Sequence, residues 1–341
     1  MRGNADGRST ERIGSADDDQ DGAADVPRET GRCPGDVGWC TMSTSPETGL
    51  YGTPIAEEAV RAARVLHPDE NAMPRPTHRR ILTVANQKGG VGKTTSTVNL
   101  AAGLALHGVR TLVIDLDPQG NASTALDVDR RSGTPSVYEL LLGEVSLLDA
   151  TQASPQSENL LCVPATIDLA GAEIELVSMA QRESRLKEAL TREALDSLGV
   201  DYVFIDCPPS LGLLTVNALV TAHEVLIPIQ CEYYALEGLG QLLNNIELVQ
   251  RHLNQMLRVS TILLTMYDGR TKLADQVAQE VRRHFGDVVL RTVIPRSVKV
   301  SEAPGYSQTV LAYDPGSRGA MSYLDAAREI AERGSNRERR Q

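Results

Sequence analysis

The chain has 341 residues, of which 41% are hydrophobic, enough for one large domain or two ordinary ones. It has no apolar run long enough to span a membrane and no apolar stretch near the N-terminus typical of a signal peptide, so we expect a soluble, cytoplasmic protein. The 5 cysteines form no CxxC pair, which argues against a disulfide framework or a zinc site. The net charge of −11 argues against nucleic acid as a partner, unless basic residues are concentrated in one region.

The N-terminal part of the chain differs in composition from the rest. Residues 1–78 are rich in Gly, Ser, Thr, Pro, Asp and Glu, and they predict a mostly disordered extension. Residues 53–67 are an exception, because Thr53 suits a helix cap and Pro54 suits the first helical position. The apolar residues of the predicted helix that share one face are Ile55, Ala59, Ala62 and Leu66. This short helix either docks a partner or packs on its own domain.

From residue 79 onward, short β-branched runs alternate with amphipathic helical segments. Near-continuous apolar runs are typical of strands buried on both faces of a sheet. The predicted strands are 81–86, 110–115, 160–164, 202–206, 224–229, 260–265 and 291–295. The alternation predicts one α/β domain at 79–333, built on a doubly wound, mostly parallel sheet flanked by helices, followed by a flexible tail at 334–341.

The stretch KGGVGKTT, residues 88–95, lies between the first predicted strand and a helix predicted to begin at Lys93. A phosphate-binding loop requires this context, since glycines let backbone N–H groups surround phosphate oxygens and the helix N-terminus adds its positive dipole. We expect Lys93 to bind the β- and γ-phosphates of ATP and Thr94 to ligate Mg²⁺. The expected ATP-binding residues are Lys88, Gly89, Gly90, Val91, Gly92, Lys93, Thr94 and Thr95.

The loop departs from the strict phosphate-loop pattern at its start. That pattern places a glycine at position 87, but this chain has Gln87, followed by an additional lysine, Lys88. The residues alone leave two interpretations of Lys88 open: a solvated loop lysine, or a second cation that acts on phosphate.

Carboxylates end two further predicted strands. Asp206 follows the apolar run YVFI, where it can hold a water ligand of Mg²⁺ beside the phosphates. Asp115 and Asp117 end the run TLVIDLD. Such a pair usually forms a turn or a helix cap, but beside a phosphate loop Asp117 is a candidate to orient the attacking water. We expect it to act by position, because an ordinary carboxylate is a weak base at neutral pH.

Basic residues concentrate between positions 270 and 299, against the acidic balance of the chain. They are Arg270, Lys272, Arg282, Arg283, His284, Arg291, Arg296 and Lys299. Such a strip suits sequence-independent binding to the DNA backbone. A solvated helix face is the alternative, since Asp275, Glu280 and Asp287 interrupt the strip.

Five segments together carry a family resemblance. KGGVGKTT, DLDPQGNAS, DCPPSLG, TMYDGRTKLADQV and VIPRSVKVSEAPGYS resemble the ParA/Soj chromosome-partitioning ATPases of the deviant Walker A class, in particular the actinobacterial chromosomal proteins. The resemblance spans residues 80–331. It implies a Mg²⁺-dependent ATPase, slow without its partner, whose ATP-bound homodimer binds nucleoid DNA and whose hydrolysis is stimulated by a centromere-bound ParB protein.

The resemblance also implies roles for single residues. In this family the additional lysine reaches across a nucleotide-sandwich dimer to the partner's phosphates, which makes Lys88 catalytic in trans beside Lys93 and Asp117. DNA binding is implied for Arg270 and Lys299.

Adenine contacts are implied for Pro295 and Ser297. Relatives often carry Asn at position 297, and at position 299 they commonly carry Arg.

Two other classes of ATPase share such a loop. A MinD-like membrane-cycling ATPase would end in an amphipathic helix with bulky apolar residues, whereas this chain ends in SYLDAAREIAERGSNRERRQ, so we expect no stable membrane binding. A carrier related to the nitrogenase iron protein would need cysteines at a dimer seam. Cys207, next to Asp206, has no CxxC partner.

Overall fold

The computed structural model describes residues 54–67, 72–233 and 239–336. Most of the extension predicted to be disordered, including Thr53, lies outside the described residues, as does the end of the predicted tail. Among the described helices, none combines the length and the apolar character that crossing a membrane requires.

One sheet of eight strands forms the centre of the described part of the chain. The strands are β1 (Arg80–Val84), β2 (Thr111–Asp115), β3 (Gln152–Ala153), β4 (Leu160–Val163), β5 (Tyr202–Asp206), β6 (Glu224–Gln230), β7 (Arg258–Tyr267) and β8 (Val289–Pro295). Their order is β3-β4-β2-β5-β1-β6-β7-β8, and every neighbouring pair is parallel except β3 with β4. The predicted doubly wound, mostly parallel α/β fold is confirmed.

Helices cover both faces of this sheet. They are α1 (Pro54–Leu66), α2 (Lys93–Leu106), α3 (Asn121–Ala125), α4 (Val137–Leu142), α5 (Leu147–Ala150), α6 (Leu169–Val177), α7 (Arg185–Ala189), α8 (Arg192–Leu198), α9 (Leu213–Thr221), α10 (Leu239–His252), α11 (Lys272–Phe285), α12 (Val298–Glu302), α13 (Val310–Tyr313) and α14 (Arg318–Asn336). Because strand side chains alternate in direction, Ile81 packs in one buried cluster with α4 to α11, and Leu82 packs in the other with α2, α3, α13 and α14.

All seven predicted strands are present; β5 has the predicted bounds, and the other six have shifted ends. The first ends at Val84 rather than at residue 86, since the chain then leaves the sheet to form the loop before α2. The sixth, β7, extends beyond its apolar run at both ends. No sequence pattern predicted β3, because two residues at an antiparallel edge are too few to show one.

Helix α1 packs on the α2–α14 side through a face that differs from the predicted one. Ile55 and Leu66 are exposed, whereas Val65 is buried in the cluster of that side. The Arg61 Nε atom donates to the carbonyl of Gly316, 3.1 Å away. Because only one side of this short, peripheral helix touches the domain, Val65 and Arg61 hold α1 in place, and a full apolar stripe is not needed.

The parallel arrangement brings the ends of many strands to one edge of the sheet, which we call the carboxyl rim. It is formed where the parallel strands end, at Val163, Asp115, Asp206, Val84, Gln230, Tyr267 and Pro295. In folds of this type, ligands bind at this edge near the point where the strand order reverses. Here the order reverses around β1 and β5, so the loops that follow these strands are the expected site.

Candidate active site

The loop between β1 and α2 is shaped to surround an anion. Gly90 and Gly92 have φ angles of 73° and 87°, in the left-handed region that favours glycine. Nothing lies within 4 Å of the position that a Cβ would take at Gly89 or Gly90. Gly92 is the N-cap of α2 and has no side chain to accept from the first N–H groups of the helix. Open backbone donors therefore meet the positive end of a helix of 14 residues.

Lys93, the first residue of α2, lies over this loop. Its side chain is buried, and Nζ donates to the carbonyl of Lys88 at 3.2 Å. Burial lowers the pKa of Lys93, while the nearby carboxylates of Asp206 and Asp117 oppose the change. The hydrogen bond to the carbonyl of Lys88 thus holds the predicted phosphate lysine against the loop.

Asp206 lies directly below the loop, at the end of β5. Its Oδ1 accepts from the Thr97 hydroxyl at 2.9 Å, and the side chain of Thr94 is close enough to lower the pKa of the carboxyl. Burial, followed by repulsion from Asp115, raises the pKa of Asp206 to about 7. Two buried polar atoms of this region, Asp206 Oδ2 and Gln87 Nε2, have no hydrogen-bond partner among the described residues.

This environment fits a hard cation beside a phosphate chain. A buried carboxylate oxygen without a partner costs free energy unless a ligand satisfies it, and oxygen is the donor that Mg²⁺ prefers. The Thr94 hydroxyl lies near this carboxyl, and its role as a ligand of Mg²⁺ stays a prediction. The two residues that would hold Mg²⁺ therefore meet below the phosphate loop.

Asp115 holds the second carboxylate loop in position. It pairs in register with Asp206 across β2 and β5 and is fully buried. Its Oδ2 accepts from the N and Oγ atoms of Ser123, at 2.8 and 2.6 Å, and its Oδ1 accepts from Asp117 N at 3.2 Å. Burial raises the pKa of Asp115 to about 6. The sequence placed Asp115 at this edge but gave it no role, because its partner Ser123 belongs to the following helix.

Asp117 lies in the tight turn that Asp115 fastens. Its Oδ1 accepts from Gln119 N at 3.0 Å, and its carbonyl accepts from Gly120 N at 2.8 Å. The side chain is largely buried and close enough to Lys93 to favour the charged ammonium electrostatically. The structure therefore brings Lys93, Asp117 and Asp206 into one group, as the sequence predicted, although their roles in the reaction stay predictions.

Lys88 stands at the mouth of the loop with its backbone fixed and its ammonium free. The backbone N donates to Asn86 Oδ1 at 3.0 Å, and the carbonyl accepts from Lys93. The side chain is half-buried. Within the described part of the chain, its Nζ atom has no hydrogen-bond acceptor and no ion-pair partner.

One contact ties the phosphate loop to a distant strand. The Thr265 hydroxyl, near the end of β7, donates to the carbonyl of Val91 at 2.8 Å, and both groups are buried. The next residue, Met266, has a φ angle of 50°, an uncommon conformation for a residue with a side chain. No sequence pattern predicted this contact.

Pro295 and Ser297, the predicted adenine contacts, lie at the far side of the carboxyl rim. Pro295 ends the edge strand β8 and pairs in register with Tyr267. Ser297 is the N-cap of α12, with its Oγ 3.3 Å from the place that a Cβ of Gly319 would occupy. Two strands, β6 and β7, separate them from β1, so their contact with a nucleotide stays a prediction.

The basic strip is exposed and largely paired with acidic side chains. The side chain of Arg270 is 87% exposed and makes two hydrogen bonds of 2.8 Å to Asp268. Lys299 Nζ lies 3.3 Å from Glu302 Oε2 and 5.5 Å from the centre of the Tyr313 ring. The surface therefore carries less available positive charge than a count of its basic residues indicates.

Comparisons with known proteins agree with this geometry. The profile of the AAA domain family matches residues 79–259. The sporulation initiation inhibitor protein Soj of Bacillus subtilis is 54% identical over 255 residues, 75% of this chain and 99% of that protein. The chromosome partitioning protein ParA of Caulobacter vibrioides is 49% identical over 260 residues, 76% of this chain and 96% of that protein.

A solved structure extends the comparison to the ligands. Cobyrinic acid a,c-diamide synthase from Mycobacterium smegmatis, with a bound ATP analogue and magnesium, superposes with a TM-score of 0.65 at 40% identity, over 75% of this chain and 95% of that one. The chain is an ATPase, and its cofactors are ATP and Mg²⁺. With nearly the whole length of Soj and ParA matched at about half identity, the chain belongs to the ParA/Soj family of chromosome-partitioning ATPases.

Proposed function

We propose that this protein partitions chromosomes through an ATP-driven cycle of dimerisation on DNA. Two subunits close around two ATP molecules, the closed dimer binds nucleoid DNA without sequence preference, and hydrolysis releases it. A ParB-type protein on the centromere stimulates that hydrolysis. The single observation that carries the proposal is the free ammonium group of Lys88 at the mouth of the phosphate loop.

The position of Lys88 favours a role on another subunit's nucleotide. Lys93 already covers the loop of its own subunit, and the Lys88 backbone is fixed by Asn86 and Lys93. Its side chain, with no acceptor among the described residues, is free to meet phosphates that arrive from outside. A cation supplied in trans stabilises the charge that develops on a transferred phosphoryl group, as an arginine finger does.

The remaining residues of the site divide the chemistry on one subunit. Lys93 and the backbone of residues 89–92 bind and orient the phosphates. Thr94, together with Asp206 through a water, would hold Mg²⁺, which when bound neutralises charge on the phosphate oxygens. Asp117, fixed by Asp115, orients the attacking water by its position.

DNA binding follows from assembly in this proposal. Arg270 and Lys299 are exposed but paired with Asp268 and Glu302, so one subunit offers little free positive charge. Joining two such surfaces in one dimer makes the second contact intramolecular and raises the overall affinity. Phosphate contacts of this kind are sensitive to salt and indifferent to sequence.

Two lysine variants test the proposal. We expect Lys88→Ala to bind ATP almost as tightly as the wild type but to lose hydrolysis by roughly 10³-fold, the effect of removing a trans cation. Lys93→Ala is expected to weaken ATP binding itself. Equilibrium binding of ATP and steady-state phosphate release measure the two effects, and Lys187→Ala, an exposed lysine on α7, is the matched control. Turnover at the wild-type rate in Lys88→Ala would contradict the trans role.

The partner requirement has a separate test. Phosphate release is measured with DNA, with the cognate ParB protein, and with both together. The proposal expects synergy, with retention on non-specific DNA in ATP and release in ADP. Equal retention with both nucleotides would break the link between hydrolysis and DNA release.

A further inference from the structure

An apolar stripe on α6 lies outside the site described above. The α6 stripe consists of the exposed residues Ala170, Ile174 and Val177, and the exposed Ile167 lies in the turn just before the helix. Ile174 is 79% exposed, Ile167 65% and Val177 59%. Ala170, Ile174 and Val177 are spaced by four and three residues, so they share one face of the helix and form one continuous strip. Continuous exposed apolar surface of this kind marks a contact with a partner.

The α6 stripe lies at the carboxyl rim, beside the nucleotide site. Glu173, in the middle of α6, accepts from the backbone N of Leu214, in the first turn of α9. Arg182, five residues after the end of α6, accepts through its carbonyl from Asn217, which lies further along α9. Because α9 begins directly after the loop that follows Asp206 at the carboxyl rim, the contact of its first turn with Glu173 places the middle of α6 at that rim.

The charged residues of α6 form hydrogen bonds with neighbouring elements. Glu173 bonds to α9, and Glu175 accepts from the Tyr138 hydroxyl at 2.9 Å. Both carboxylates are thus turned to neighbouring elements of the same subunit. Apart from Glu175, the exposed side chains of α6 are apolar, which suits burial against protein rather than contact with DNA.

We infer that the α6 stripe packs against a second copy of this chain in the ATP-bound dimer. The inference rests on the proposed function, since Lys88 can reach a partner's phosphates only if the partner covers the carboxyl rim. Around the loop mouth that rim presents Lys88, Gly89 and Gly90, which supply no apolar surface. Stable interfaces have a dry, largely apolar centre, and the α6 stripe provides it beside the nucleotides.

A second exposed apolar group serves as the control. Leu248, 53% exposed, lies near the end of α10. Asn254, just after α10, donates to the carbonyl of Ala222, which precedes β6. Leu248 therefore lies toward the opposite edge of the sheet, where the proposed partner does not reach.

The experiment measures the mass of the full-length protein by sedimentation velocity, with Mg²⁺ and a slowly hydrolysed ATP analogue. We expect the wild type and Leu248→Asp to dimerise equally, and Ile174→Asp and Val177→Asp to dimerise roughly tenfold or more weakly, because each places a charge in an apolar interface. Binding of the analogue to monomers and the far-UV circular dichroism spectrum are expected to be unchanged, since both side chains are exposed.

The outcomes separate this inference from the proposed function. If Ile174→Asp and Val177→Asp dimerise as the wild type does, the inference is overturned and the dimer stands. If the wild type stays monomeric with the analogue, the proposed dimer fails and the inference fails with it. If Leu248→Asp weakens dimerisation as much as Ile174→Asp, the effect is one of charge alone, and the assignment to the α6 stripe is wrong.

Discussion

The nucleotide site and the basic strip are built in opposite ways. At the site, Asp115 and Asp206 are fully buried, and backbone or hydroxyl donors from other elements fix them. On the strip, Arg270 and Lys299 are exposed, and acidic neighbours within the same short segment partly neutralise them. The monomer thus carries preformed chemistry, whereas its affinity for DNA has to be generated by assembly.

The largest effect is expected from Asp115→Ala, which tests whether buried contacts preform the nucleotide site. The substitution leaves three donors of Ser123 and Asp117 without their acceptor, so the turn that carries Asp117 loosens. We expect kcat to fall by roughly 10²-fold, since a displacement of about 1 Å in a catalytic group has that effect, while ATP binding through Lys93 is retained.

Single-turnover hydrolysis and ATP titration measure this prediction, with Asp129→Ala, at an exposed carboxylate outside the site, as the control. Asp115→Asn keeps one acceptor oxygen, so we expect its kcat to lie between that of Asp115→Ala and that of the control. A lowered melting temperature with an unchanged kcat would show that Asp115 only stabilises the fold and does not position Asp117.

A smaller effect is expected when the two exposed basic side chains of the strip are removed. The Arg270→Ala, Lys299→Ala double variant removes two phosphate contacts in each subunit, so we expect DNA affinity to fall by roughly tenfold and the dependence of affinity on salt to become shallower. Basal ATP hydrolysis is expected to stay at the wild-type rate. Filter binding across a salt series measures both, with Arg192→Ala on α8 as the control. An unchanged salt slope would exclude these residues from the DNA contact.

The smallest effect concerns pH. The pKa of Asp206 is raised to about 7 and that of Asp115 to about 6, both by burial, above the ordinary value of 3.8. A raised pKa means that the folded state favours the protonated carboxyl, so this stabilisation is complete below pH of about 4 and is lost as pH rises through 6 and 7. The pKa of Asp268, on the strip, is instead lowered to about 2 by its hydrogen bonds to Arg270.

We therefore expect the nucleotide-free protein to melt a few degrees lower at pH 8 than at pH 6, a difference that Asp206→Asn reduces. Asp268→Asn is expected to leave the pH dependence in this range unchanged, because its carboxyl is already ionised throughout. Differential scanning calorimetry at several pH values checks both. A melting temperature that rises from pH 6 to pH 8 in the wild type would contradict the sign.

The sequence predicted what local patterns encode. The apolar runs identified the parallel strands, and the glycine-rich run before Lys93 identified the phosphate loop, because each depends on neighbouring residues. Contacts between distant residues left no such pattern. The bond of Thr97 to Asp206 follows from the strand order. The bond of Asp115 to Ser123 depends on how the turn between β2 and α3 folds, and the pairing of Arg270 with Asp268 depends on rotamers that a charge count ignores.

The contact of Thr265 with Val91 also bears on how the protein is made. The two residues are 174 positions apart, so most of the domain separates them in the order of synthesis. Contacts of such long range form late in folding, because closing the intervening chain costs entropy before the contact stabilises anything. A nascent chain that ends before β7 already contains the complete phosphate-loop sequence but lacks the hydroxyl that fixes its shape. Tight ATP binding by a ribosome-bound chain would thus show that β7 has been added to the sheet.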